Sequence, residues 1–134
     1  MRTMGGRAVR AVCAAVLLSV ATSCAGARNS LNTTASACFR ALPAADDAVH
    51  RKGRLVGVRV IETSELAHKV PEAATLGQRH LCGVAYRDDY ASGDVAGAQP
   101  GRVGRYALVL VDGDQRVVAS FVLDDLPMRF THRV

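Results

Sequence analysis

Thiols, imidazoles, carboxylates and hydroxyls carry whatever chemistry this 134-residue chain has to offer, since it contains no Trp and little other aromatic surface. Cys38, Cys82, His50 and His80 are soft donors of the type that copper and zinc prefer. Their spacings match no ligand pattern. Asp88, Asp89 and Asp94, with Asp112 and Asp114, are hard oxygen donors that calcium can use if folding gathers them, but the EF-hand spacing is absent. Turn formation explains those aspartates more simply, because Asp bonds to its own nearby backbone. Ser92 and Ser120 are the hydroxyls considered as nucleophiles. The chain contains no G-x-S-x-G elbow, H-E-x-x-H, C-x-x-C, Walker A or G-x-G-x-x-G motif, so no triad, zinc site or nucleotide site can be drawn by rule. The expectation is therefore no catalytic residue, no bound metal and no cofactor.

Charge points the same way. The formal charge of +5 invites a nucleic-acid reading, but Arg2, Arg7 and Arg10 precede an apolar run and leave with it if it is cleaved. Seventeen basic residues less these three leave 14 against 12 acidic, or +2. A near-neutral chain with so few aromatics lacks the basic footprint and the stacking surface of a nucleic-acid binder. Arg51, Lys52, Arg54 and Arg59 can touch anionic headgroups or wall polymers. A helix C-terminus and a solvated strand face account for them as well.

The amino-terminal segment has the layout of an export signal, with three arginines, an apolar stretch from Ala11 to Ala21 and then small residues. That stretch is shorter than the roughly 20 residues a spanning helix needs. Ala21-Thr22-Ser23-Cys24 resembles the lipobox of bacterial lipoproteins, in which an aliphatic residue and two small residues precede an invariant Cys. Ala21 stands where Leu is commonest. The resemblance implies diacylglycerol on the Cys24 thiol, cleavage before Cys24, and a mature protein held on the outer face of the cell membrane by two or more acyl chains. Residues 1–23 are then the signal, residues 24–34 a lipidated Cys and flexible tether, and residues 35–134 one domain.

Export changes the reading of the remaining cysteines. Cys13 leaves with the signal and Cys24 is acylated, so Cys38 and Cys82 form an even pair in an oxidising compartment and are expected to be bonded. The closed loop spans 45 residues counting both ends, worth roughly 4 kcal/mol by chain entropy.

The elements that must position these groups follow from periodicity. Cys38, Leu42, Ala45 and Val49 recur at helical spacing. Pro43 is welcome only in a first turn, so the regular helix is expected to start there and run to Gly53, with His50, Arg51 and Lys52 in its last turn. Residues 54–63 alternate as a strand. Residues 64–70 predict a short helix capped by Thr63 or Ser64 and stopped by Pro71, and the stretch to Arg79 reads as loop. Residues 81–87 form a second strand with Cys82, Val84 and Tyr86 on the face toward the helix. Residues 88–104 read as a long loop and, through Asp88, Asp89, Tyr90 and Asp94, as the best binding candidate. Residues 106–111 and 116–123 predict a hairpin turned at Asp112-Gly113-Asp114.

The order predicts an α+β fold with one antiparallel sheet of about four strands, a helix on one face and a disulfide link. The last two strands are apolar on both faces. That leaves a face, marked by Val118 and Val122, for the C-terminal segment, an envelope partner or a second copy to cover. The functional expectation is a lipid-anchored, non-catalytic binding or accessory domain. The alternatives are an envelope enzyme of unfamiliar type and a metal or redox sensor using Cys38 and Cys82.

Overall fold

The computed structural model describes residues 37–131. The signal, Cys24 and the tether lie outside the described residues. Four strands, β1 (Arg54–Glu62), β2 (His80–Ala91), β3 (Val103–Val111) and β4 (Val117–Leu123), form one antiparallel sheet in the order β1-β2-β3-β4. The sheet is a meander whose links differ: β1 and β2 are joined by the helical stretch 63–79, β2 and β3 by residues 92–102, and β3 and β4 by a short hairpin turn.

The register puts Val60 opposite Cys82 and Cys82 opposite Val111. On this face Val58, Val84, Tyr86, Val109, Val111 and Val122 are buried together with Ala41, Ala45, Ala48 and Val49 of the N-terminal helical segment. That segment is a 3-10 turn (Phe39–Ala41) running into helix α1 (Leu42–Ala48), with Pro43 in the first turn as its missing N–H requires. Alanine at the buried helix positions keeps α1 close to the sheet. The Cys38–Cys82 disulfide ties the start of the segment to β2, with the two Cα atoms 5.3 Å apart.

The opposite face is covered as well. Ile61, Leu81, Ala85, Leu108, Leu110 and Phe121 pack under Leu66 of helix α2 (Thr63–Ala67), under Val70 and Ala73 around the 3-10 helix Pro71–Leu76, and under Leu126 of the C-terminal segment. Phe130, in helix α3 (Met128–Thr131), lies over the sheet, where Gly83 leaves room that a Cβ would take from both Ile61 and the Phe130 ring. Residues 107–111 of β3 are buried throughout because helical cover presses on both faces, which accounts for the uninterrupted apolar run.

Five expectations are corrected. The first helix ends at Ala48, not near Gly53. The N–H of His50 bonds to the carbonyl of Asp47 at 3.0 Å and that of Arg51 to the carbonyl of Asp46 at 2.7 Å, a Schellman closure. His50 (φ 51°) and Arg51 (φ 58°) both take the left-handed conformation that usually selects Gly. Thr63 does not cap α2: its buried hydroxyl donates to the carbonyl of Gly77 and accepts the N–H of Arg79 at 3.0 Å, closing the 63–79 excursion at its base. The stretch after Pro71 is 3-10 helix rather than loop. The long loop is shorter than read, since β2 runs to Ala91 and β3 begins at Val103. Finally, Val122 is buried under α1 and Val118 packs half-buried on the second cluster, so neither valine marks a face open to a partner.

Candidate functional site

One end of the sheet gathers most of the charged residues the sequence singled out. The pairing of β2 with β3 is irregular between Arg87 and Tyr90, which sets Asp88 and Asp89 outside the ladder and exposes both. Bulges of this kind re-aim side chains at strand ends. Opposite them the chain leaves the left-handed turn, passes Lys52 and enters β1 at Arg54.

Gly53, at φ 91°, sits where an added Cβ would overlap the Tyr90 hydroxyl. That hydroxyl donates to the carbonyl of Lys52 at 2.5 Å. The Lys52 ammonium lies 5.5 Å from the centre of the Tyr90 ring, donates to the carbonyl of Asp89 at 2.7 Å and meets the Asp94 carboxylate at 2.9 Å. Asp94 also accepts the N–H of Ala91 at 2.9 Å. The Ala91 N–H and then Lys52 hold the Asp94 carboxyl below its ordinary range, and the Asp94 hydrogen bond raises Lys52. Burial, followed by the charges of Asp88 and Asp94, pushes Tyr90 up to about 12. Tyr86, buried nearby, is raised as well, by burial first and then by its hydrogen bond to the Asp46 carboxylate of α1.

These contacts redistribute the candidate residues. Tyr90 is buried at 2% exposure and belongs to the core. Asp94 is committed to a hydrogen-bonded corner. Ser92 accepts the N–H of Gly101 at 3.1 Å. Val95 is buried and the N–H of Ala96 reaches the carbonyl of Ala48 at 2.8 Å, so the connection from 92 to 102 is packed onto α1. Asp112 and Asp114 lie beyond the far end of β3, where Asp112 accepts the N–H groups of Asp114 and Arg116 and builds the hairpin turn. The acidic residues therefore form two structural groups, not one calcium cage.

What remains open is a depression of about 620 Å³ lined by Gly53, Arg54, Arg87, Asp88, Asp89 and Arg105. Arg54 and Arg87 stand directly opposite each other across β1 and β2. Of the four basic residues read as headgroup contacts, Arg51 faces Asp47 at 3.9 Å, Lys52 is held as above and Arg59 donates to the carbonyl of Val58 at 2.9 Å. Only Arg54 lines the depression. Arg87 and Arg105 join it unannounced by the sequence, because nothing there shows which strands will be neighbours or in what register.

The enzyme and metal alternatives fare differently. His80 lies 3.4 Å from Glu62, but as an exposed cross-strand pair at the opposite end of β1 from Arg54. A smaller groove of about 260 Å³ runs between α2 and the C-terminal segment, lined by Ile61, Leu66, His68 and Pro127 among others. Ser120 is buried beneath α1 with no hydrogen-bond partner among the described residues, far from the exposure a nucleophile requires. The Cys38 and Cys82 sulfurs are bonded to each other and so are not free thiolates for a metal. Among the described residues no helix is long and apolar enough to cross a membrane. Compared with protein-family models, curated proteins and solved structures, the chain matches none.

Proposed function

We propose that this protein is a lipid-anchored, extracytoplasmic binding or accessory domain, held on the cell membrane through Cys24 and not itself catalytic. The observation that carries the reading is the Cys38–Cys82 disulfide, in a chain whose next cysteine upstream ends a lipobox-like Ala-Thr-Ser-Cys. A structural disulfide in a small domain belongs to an oxidising compartment, and the amino-terminal segment has the form of a signal that delivers a chain there. Binding, rather than catalysis, is favoured by the open, arginine-lined depression at the sheet end, which offers charge without a general base beside a nucleophile.

Membrane fractionation of cells making the wild-type chain and Cys24→Ser tests the anchoring. Wild type should partition with the membrane, and the variant should be released or left unprocessed. A wild-type protein found wholly in the medium contradicts the proposal.

A further inference from the structure

We infer that the depression formed by Arg54, Arg87 and Arg105 is a site for a phosphate ester that carries an ammonium or hydroxyl group next to its phosphate; this deepens the binding reading above and rests on it. Three observations converge. First, three arginines that lack an acceptor converge on one place: elsewhere Arg51 faces Asp47, Arg102 bonds Glu72 at 2.6 Å, Arg116 bonds Asp114 at 2.9 Å and Arg129 bonds Glu65 at 2.8 Å, while Arg40 and Arg79 stand singly without a side-chain acceptor among the described residues. Arg54, Arg87 and Arg105 have no hydrogen-bond or ion-pair acceptor among the described residues, and all three line one depression.

Second, Arg54 and Arg87 are direct cross-strand partners. Like charges placed opposite each other destabilise a sheet, and a shared anion removes that repulsion. Guanidinium groups suit this role because their planar forks match phosphate oxygens two at a time.

Third, the carboxylates of Asp88 and Asp89 line the same depression without an ion pair to any of the three arginines. Asp88 accepts the N–H of Asp89 at 2.7 Å, and both carboxylates act on the Lys52 ammonium. A bare anion meets attraction from the arginines and repulsion from these aspartates. A phosphate with a donor group beside it satisfies both. Phosphoethanolamine-type and phosphoglycerol-type headgroups have this chemistry, whether free or presented by a bilayer.

The test is a titration of the full chain in neutral-detergent micelles, followed by backbone amide shifts at Gly53, Arg87, Asp89 and Arg105. The probes are phosphoethanolamine, inorganic phosphate and ethanolamine, with a further arm in which phosphatidylethanolamine is doped into the micelles. Phosphoethanolamine should bind at least about tenfold more tightly than either fragment, and the double variant Arg54→Gln/Arg87→Gln should weaken it by about tenfold or more. Asp88→Asn should lower the preference for phosphoethanolamine over phosphate while leaving phosphate binding equal or stronger. Saturation by doped lipid together with the free headgroup identifies a site open to both sources, and saturation by lipid alone assigns it to the bilayer. Equal shifts in wild type and the double variant, or no shift with any probe, overturn the assignment. Because these readouts follow the depression and not the anchor, a chain that is lipidated at Cys24 yet silent in every arm refutes the ligand alone, and a chain that binds without being lipidated refutes the anchoring alone.

Discussion

Ser120 is the side chain with the clearest energetic signature. It is 2% exposed, lies opposite Val109 on the face beneath α1, and its hydroxyl has no partner among the described residues. Leaving such a group unsatisfied costs about 1–3 kcal/mol, so Ser120→Ala should raise the unfolding free energy by about 1 kcal/mol in a denaturant titration. His50 and Arg51 hold a second cost, since left-handed backbone in a non-glycine residue is unfavourable by roughly 1–2 kcal/mol. His50→Gly should stabilise the protein by about 1 kcal/mol, whereas an ordinary helix interior would lose about as much from the same change. The tyrosines set the alkaline limit. In the fold Tyr90 keeps its proton up to about 12, while the unfolded chain releases it near 10.0, and Tyr86 is shifted in the same direction. Their contribution is complete below the unfolded value and is lost as pH rises through the folded one. In a Tyr106→Phe chain, phenolate absorbance and circular dichroism should therefore change together above pH 10. Tyr86 and Tyr90 ionising near 10 with the fold intact would refute this.

At the scale of elements, the two-faced sheet makes the sharpest prediction. Val122 sits at 4% exposure under α1, so Val122→Lys buries an unpaired charge and should cost more than about 3 kcal/mol, enough to leave much of the chain unfolded. A soluble, cooperatively unfolding Val122→Lys protein would show that α1 does not cover this face. Joint replacement of Cys38 and Cys82 by Ala should lower stability by roughly 4 kcal/mol, because the unfolded chain regains the freedom of a long loop. The strands, the hairpin at Asp112-Gly113-Asp114 and the disulfide were legible in the sequence, because alternation, turn chemistry and cysteine parity are local or compositional signals. The end of α1 was not, since His50 and Arg51 occupy positions where Gly is the usual marker. Nor was the role of Thr63, whose hydroxyl bonds residues far along the chain. The extension of β2 through Asp88 and Asp89 was hidden by residues that favour turns, held in the strand here by the pairing of Tyr90 with Gly104 and of Ala91 with Val103. The second-face cover depended on which way Leu126 and Phe130 fold back, a tertiary choice with no period to announce it.

For the molecule as a whole, the proposed anchor would hang a disulfide-linked α+β domain from a bilayer. From Cys24 to the first described residue, Ala37, the chain spans 13 residues, which reach at most about 45 Å when extended. Anchoring at Cys24 would therefore confine the arginine-lined end of the sheet to a shell near the membrane and raise its effective concentration toward ligands presented there. The candidate site was only partly legible: Asp88, Asp89 and Arg54 were on the page as residues, but it takes the register of three strands to bring them beside Arg87 and Arg105. Mass spectrometry of the amino-terminal peptide from the membrane fraction tests the proposed anchoring. The mature chain should begin at Cys24 with diacylglycerol on its sulfur. An unmodified amino terminus, or one that begins at any other residue, would contradict it.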